Sequence, residues 1–330
     1  MNEQDWRQVV AAATRAPSIY NTQPWLFTGH PDWIDVFTDP ERALPVLDRT
    51  GRQRVISCGA AVEFAAVALR ALGHDAEVTL LPDETDTDHL ATIQVQQVRD
   101  VSSEDRMLVE AIEQRHTQRA AFLPRRVPRE LVDRLQAEAG SFDVWVKAIT
   151  ESEEGIAAVF LIARAEEIEQ GDPDYLAELR SWLRTDPAAV DGVPVDSVPS
   201  EDPATRPSNW LVRDFIVGER PAPHSRVHPL DPDAPPPPVE RPTVLLLGTD
   251  GDDRHAWLQA GRALGRLLLR ATAAGLAASS LTQALDWPST REQMRMRLSL
   301  IGHPQMLLRL GYPSTIGTST GRRPVEEVLR

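Results

Sequence analysis

Apolar residues recur at helical spacing over residues 5–14, and the run stops at Ala16-Pro17-Ser18, where proline disfavours helix at the residue before it. Trp33-Ile34-Asp35-Val36-Phe37 alternates and reads as a strand. Residues 55–72 form a helix of small residues ended by Gly73, and Glu77–Leu81 and Ala91–Val98 read as strands. A second cycle follows. It predicts a helix over 104–115, a polar loop from Arg115 to Phe122, and a helix from Pro128 to Ala139 with Gly140 after its end. A strand around Val144-Trp145-Val146, mostly helical residues 152–183, a buried strand at Val244–Leu247, a long helix over 254–274 and a late strand at Gln305–Leu310 complete it.

Two of these helices match. Gly59 precedes Gly73 by the same interval that separates Gly261 from Gly275, and both helices are rich in alanine and leucine. An internal repeat explains this, and so does the ease of aligning any two such helices. Between Arg184 and Arg241 the pattern lapses into prolines and acids, including Pro235-Pro236-Pro237-Pro238. Trp210-Leu211-Val212 and Phe215-Ile216-Val217 give this stretch apolar anchors, so it reads as an inserted surface flap, the alternative being a disordered excursion.

Composition narrows the function. A formal charge of −14 opposes sequence-independent nucleic-acid binding and attraction to an anionic membrane. One cysteine, Cys58, rules out an intramolecular disulfide and suits a reducing compartment. The polar N-terminus is unlike a secretory signal, and no apolar run approaches the roughly 20 residues of a membrane span, so the expectation is a cytoplasmic protein. His224 and His228 have i, i+4 spacing but sit among prolines, and no metal site is expected.

The candidate chemistry lies in three segments. Pro17, Ser18, Asn21 and Gln23 form a compact loop whose carboxamides can pair with the edge of a hydrogen-bonding ring. Arg115, Thr117 and Arg119 alternate, so two guanidiniums and a hydroxyl can converge on a phosphate. Arg322 and Arg323 can complete that clamp. A ring at one end and a phosphate at the other is the shape of FMN. The bland alternatives are an Asn/Pro turn and a solvated basic loop.

These segments resemble the nitroreductase-like FMN-binding family, in particular its Acg-type actinobacterial subgroup. The resemblance rests on Ala16-Pro17-Ser18 with Asn21-Thr22-Gln23-Pro24-Trp25, on Arg115-His116-Thr117-Gln118-Arg119, and on the C-terminal run closing with Gly321-Arg322-Arg323-Pro324. It implies an α+β nitroreductase fold, internally duplicated as a fused single-chain pseudo-dimer. Residues 1–103 would form one half and 104–330 the other, with a lid at about 184–241. One composite FMN site is implied, the second having decayed around Glu138-Ala139-Gly140-Ser141-Phe142, so that a monomer suffices. Phosphate contacts would come from Arg115, Arg119, Arg323 and Arg322, and ring or ribityl contacts from Ser18, Asn21 and Gln23. Backbone amides near Leu281, Thr282 and Gln283 would face flavin N5, and Trp210 and Phe215 would cover the ring. The implied activity is hydride transfer from NAD(P)H through N5 to a small acceptor such as a nitroarene, a quinone or a metabolite. The alternatives are FMN storage under a closed lid, or a fold that has lost its cofactor.

Overall fold

The computed structural model describes residues 1–150, 153–197, 210, 239–315 and 319–330. The chain opens with α1 (Glu3–Thr14), started by a reciprocal capping box between Asn2 and Asp5. Strands β1 (Trp25–Gly29) and β2 (Trp33–Thr38), helix α2 (Arg52–Ala71), and strands β3 (His74–Leu80) and β4 (His89–Val98) follow. The strands form an antiparallel sheet in the order β1-β2-β4-β3.

Next come α3 (Ser103–Gln114), α4 (Arg129–Gly140), β5 (Trp145–Ile149), α5 (Glu153–Gly171) and α6 (Pro173–Ser181). A short parallel pair, β6 (Leu183–Arg184) and β7 (Val193–Pro194), leads away from them. The chain resumes with β8 (Thr243–Thr249), α7 (Arg254–Ala273), β9 (Ala277–Ser280), α8 (Gln283–Asp286), α9 (Pro288–Arg297), β10 (His303–Gly311) and α10 (Val325–Val328). The second sheet runs β5-β8-β10-β9. Each sheet therefore places its strands first, second, fourth, third, with the long helix between the second and third.

The two long helices pack against each other at their matched glycines. A Cβ on Gly59 would lie 2.4 Å from the Leu258 carbonyl oxygen, and one on Gly261 would lie 2.1 Å from that of Ile56. No side chain fits at this crossing, so the two backbones touch. α2 is buried on nearly every side, as a helix apolar all round must be. It shares one core with α1 and the first sheet, while α4 and α7 pack with the second. The C-terminal tail returns to the first half, where Leu329 bridges Phe27 and the Arg330 amide donates to the Phe27 carbonyl at 2.7 Å.

Several predicted elements need correction. β1 was not anticipated; it follows directly on the Asn-Thr-Gln-Pro segment. The helical stretch 152–183 is broken at Asp172, whose carboxylate caps α6 ahead of Pro173. Gly140 is the last residue of α4 rather than the one after it. β9, α8 and α9 were not anticipated. Within the expected flap, Arg184–Ser197 is ordered around the β6–β7 pair. Trp210 is buried among Ala158, Leu161, Ile162 and Leu307 and does not line the cavity below. Phe215, His224 and His228 lie outside the described residues.

Candidate functional site

The loop after α1 is built from strained backbone. Tyr20, Asn21 and Gln23 have φ of 46°, 56° and 50°, in the left-handed region that costs a non-glycine residue about 1–2 kcal/mol. Such conformations persist where the surroundings over-determine them. Here the Ile19 amide donates to Ser57 Oγ at 3.1 Å and the Gln23 amide to Ser18 Oγ at 3.0 Å. The Gln23 side chain donates to the Val190 carbonyl at 2.7 Å and accepts from the Arg323 amide at 2.8 Å.

This loop forms one wall of a cavity that spans about 970 Å³ of non-atom space, part of it open to solvent. Both halves of the chain contribute. Pro17, Ser18, Asn21, Gln53 and Ser57 come from the first, and Arg115, Thr117, Arg119, Thr282 and Arg322 from the second. Ile19, Ile56, Leu264 and Met306 add apolar surface. No aspartate, glutamate, lysine or histidine lines it among the described residues.

The electrostatics are one-sided. Burial, aggravated by Arg322 and Arg15, pulls Arg115 down to about 9. Burial pulls Arg119 to about 10, and burial with Arg15 nearby pulls Arg322 to about 10. Among the described residues, neither Arg115 nor Arg322 has a carboxylate within ion-pair distance, and the Nε of each is buried without a hydrogen-bond partner. The Nη2 of each leans on the C-terminal end of α1. Arg115 Nη2 donates to the Arg15 carbonyl at 2.9 Å and Arg322 Nη2 to the same oxygen at 3.4 Å. That carbonyl sits at the negative pole of the helix, where a cation is favoured. Arg119 Nη1 donates to Ser197 Oγ at 3.2 Å. Charges buried this way are stable only when paired, so the cavity is suited to an anion.

The Arg115–Phe122 segment is pinned to the second sheet. The Gln118 amide donates to the Ala278 carbonyl at 2.8 Å. Arg309 Nη2 donates to the Ala120 carbonyl at 3.0 Å while its Nη1 pairs with Glu240 at 2.5 Å, both side chains fully buried. Sequence reasoning missed this pair. The signal was present, because an arginine inside Met306-Leu307-Leu308-Arg309-Leu310 needs a buried partner. Gln53 and Ser57 were missed too. They stand as polar residues in an apolar helix, and Gln53 Nε2 donates to Asp286 Oδ1 at 2.8 Å.

Not every expected site residue joins the cavity. Arg323 Nη1 is paired with Asp39 at 3.2 Å and donates to the Gln23 carbonyl, so its guanidinium is neutralised inside the fold. Gln23 is fully buried with both ends of its amide committed, and it does not line the wall. Leu281 donates its amide to the Leu307 carbonyl at 2.8 Å and packs in the core, whereas its neighbour Thr282 lines the cavity. Cys58 is buried, its thiol 3.2 Å from the Pro24 carbonyl, and burial raises its pKa. No cluster of three or more potential metal ligands occurs among the described residues, and no described helix is long and apolar enough to cross a membrane.

The fold and the cavity define an α+β protein in which two similarly ordered sheets, with the helices between them, enclose a cationic, hydroxyl-lined chamber. Comparison with known proteins makes this specific. The chain is 36% identical over 307 residues to a Mycobacterium tuberculosis protein named "Putative NAD(P)H nitroreductase Rv3131", covering 93% of this chain and 84% of that one. It is 29% identical over 331 residues to "Putative NAD(P)H nitroreductase acg" of the same organism, covering 98% and 94%. A solved nitroreductase with bound FMN from Desulfitobacterium hafniense aligns over 67% of this chain and 95% of its own, at 15% identity and a TM-score of 0.40. No protein-family model matches. The chain belongs to the nitroreductase-like family and is of the Acg type.

Proposed function

We propose that the chain is an FMN-dependent oxidoreductase that takes electrons from NAD(P)H and passes them to a small organic acceptor. The observation that carries this reading is the pair of buried guanidiniums, Arg115 and Arg322, each with an unpartnered Nε and no carboxylate within ion-pair distance among the described residues. A phosphate monoester carries about two negative charges at neutral pH and three acceptor oxygens, which suits such a pair. Thr117 and Ser18 offer hydroxyls beside it, and Ile56, Leu264 and Met306 offer apolar surface for a ring. The relatives' names point the same way.

FMN, when bound, supplies two-electron hydride chemistry between a reduced nicotinamide and an acceptor. The chain's own part is then to bind, orient and exclude water. Arg115, Arg119 and Arg322 would hold the phosphate. No described lining side chain ordinarily titrates near neutral pH, so binding and orientation are the roles these residues would fill.

The matched sheets and the glycine crossing support a fused pseudo-dimer, with residues 1–103 and 104–330 as its halves. Aligning Gly59 with Gly261 places Gln53, Ser57 and Leu264 opposite His255, Gln259 and Val62. Charged residues stand around that second position. Fully buried Glu63 pairs with Arg266 at 2.5 Å and lies 3.5 Å from Arg262 and Arg70, and Arg262 stacks over Phe142. This network of one carboxylate and three guanidiniums stands where a second site would lie, which supports a second site that has closed, leaving one FMN per chain.

The test is anaerobic addition of NADPH, then NADH, to the FMN-loaded protein. Bleaching of the flavin absorbance, reversed by an acceptor, is the expected result. Absorbance that stays oxidised with both nucleotides contradicts turnover and favours storage of FMN.

A further inference from the structure

Asn21 lines the cavity, yet its carboxamide is spent on the protein. Nδ2 donates to the Gly192 carbonyl at 3.1 Å and to the Gly321 carbonyl at 3.2 Å, which uses both of its hydrogens. Oδ1 accepts from Arg322 Nη1 at 3.1 Å. The Asn21 carbonyl in turn accepts from the Gly192 amide at 3.2 Å. Three separate parts of the chain meet at this side chain: the strained loop, residues 189–193, and the tail at 320–322.

The meeting is close by construction. A Cβ on Gly321 would lie 2.1 Å from the Ala189 carbonyl oxygen, and one on Gly192, whose φ is +72°, would lie 2.6 Å from that of Trp182. The left-handed φ of 56° at Asn21 turns its side chain into this junction. The remaining contacts of Arg322 are to its own tail, at the Thr320 hydroxyl and carbonyl and the Gly321 carbonyl, and to the Arg15 carbonyl. Among the described residues, the Asn21 contact is the side-chain contact that ties the guanidinium to the loop after α1.

We infer that Asn21 is a positioning residue: it aims the Arg322 guanidinium at the ligand's phosphate and does not itself contact the ring. This rests on the FMN reading above and deepens it. A residue that reads the ring affects every flavin. A residue that aims a phosphate-binding arginine affects only flavins that carry the phosphate.

Equilibrium binding of FMN and of riboflavin, which lacks the phosphate, separates these cases. Asn21→Gly is the chosen variant, because glycine accepts the positive φ without strain. Wild type is expected to bind FMN more tightly than riboflavin. Asn21→Gly should weaken FMN by about 10- to 100-fold, as for loss of a hydrogen bond to a charged group, and leave riboflavin unchanged. Arg322→Ala should do the same, and the double variant should lose no more than either single one. Asn21→Asp should also collapse the preference, since its carboxylate would neutralise Arg322. Equal weakening of both flavins, or an unchanged preference in Asn21→Gly, overturns the inference while the FMN reading stands. A wild type that does not distinguish FMN from riboflavin overturns both.

Discussion

Replacing Arg115 with methionine should lower FMN affinity by about 2–5 kcal/mol, on the order of 30- to several-thousand-fold, while leaving the ligand-free protein as stable as wild type or more so. The opposite signs come from one cause. Arg115 is held in a dry position with its pKa pulled down to about 9, still above neutral pH, so the group stays charged without a carboxylate to balance it. Among the described residues, the Arg15 carbonyl at 2.9 Å favours the charge, and an anion entering the cavity would favour it further. Methionine keeps most of the volume and removes the buried charge. A flavin-fluorescence titration reads the first effect and a thermal melt without FMN reads the second. Loss of stability with unchanged FMN affinity would make Arg115 a structural residue.

Gly261→Leu should abolish folding, and even Gly261→Ala should destabilise by about 1–3 kcal/mol. The added Cβ would meet the Ile56 carbonyl at 2.1 Å and the Gly59 Cα at 2.9 Å. Both are backbone atoms of a helix buried on nearly every side, so neither can move aside. The only relief is to separate α2 from α7, which opens the cores on both sides of the crossing. It also displaces Ile56 and Ser57 from Leu264 across the cavity, so FMN binding should fall with stability. Gly140→Ala is the control. Nothing lies within 4 Å of a Cβ there, and alanine in a helix should be neutral or stabilising by up to about 1 kcal/mol. Chemical denaturation of the three variants measures all of this. Equal effects at positions 140 and 261 would show that the crossing is not tightly packed.

Much of the architecture was readable because it is local. The long helices show their small-residue pattern and closing glycines directly, and equal glycine spacing marked the pair that pack together. Other features depend on partners far away in the chain. Arg322 and Arg323 are neighbours of the same type, and nothing local says which faces the cavity. Asp39 decides it by neutralising Arg323. Gln23 looked as suited to a ring as Asn21, but the Val190 carbonyl and the Arg323 amide claim it. After β9, Leu281 enters the core, whereas Thr282, which starts α8, faces the cavity. β1 was hidden by its proline-led entry, and the Glu240–Arg309 pair by the distance between its members.

On the proposed function, one chain is expected to hold one complete FMN site made from both of its halves. Sedimentation velocity of the protein with FMN, followed at a flavin wavelength, tests it most directly. The expected result is a flavin signal that moves with the mass of a single chain, at one FMN per chain. Flavin that stays with the free solute, that moves only with a dimer, or that reaches two per chain would contradict it.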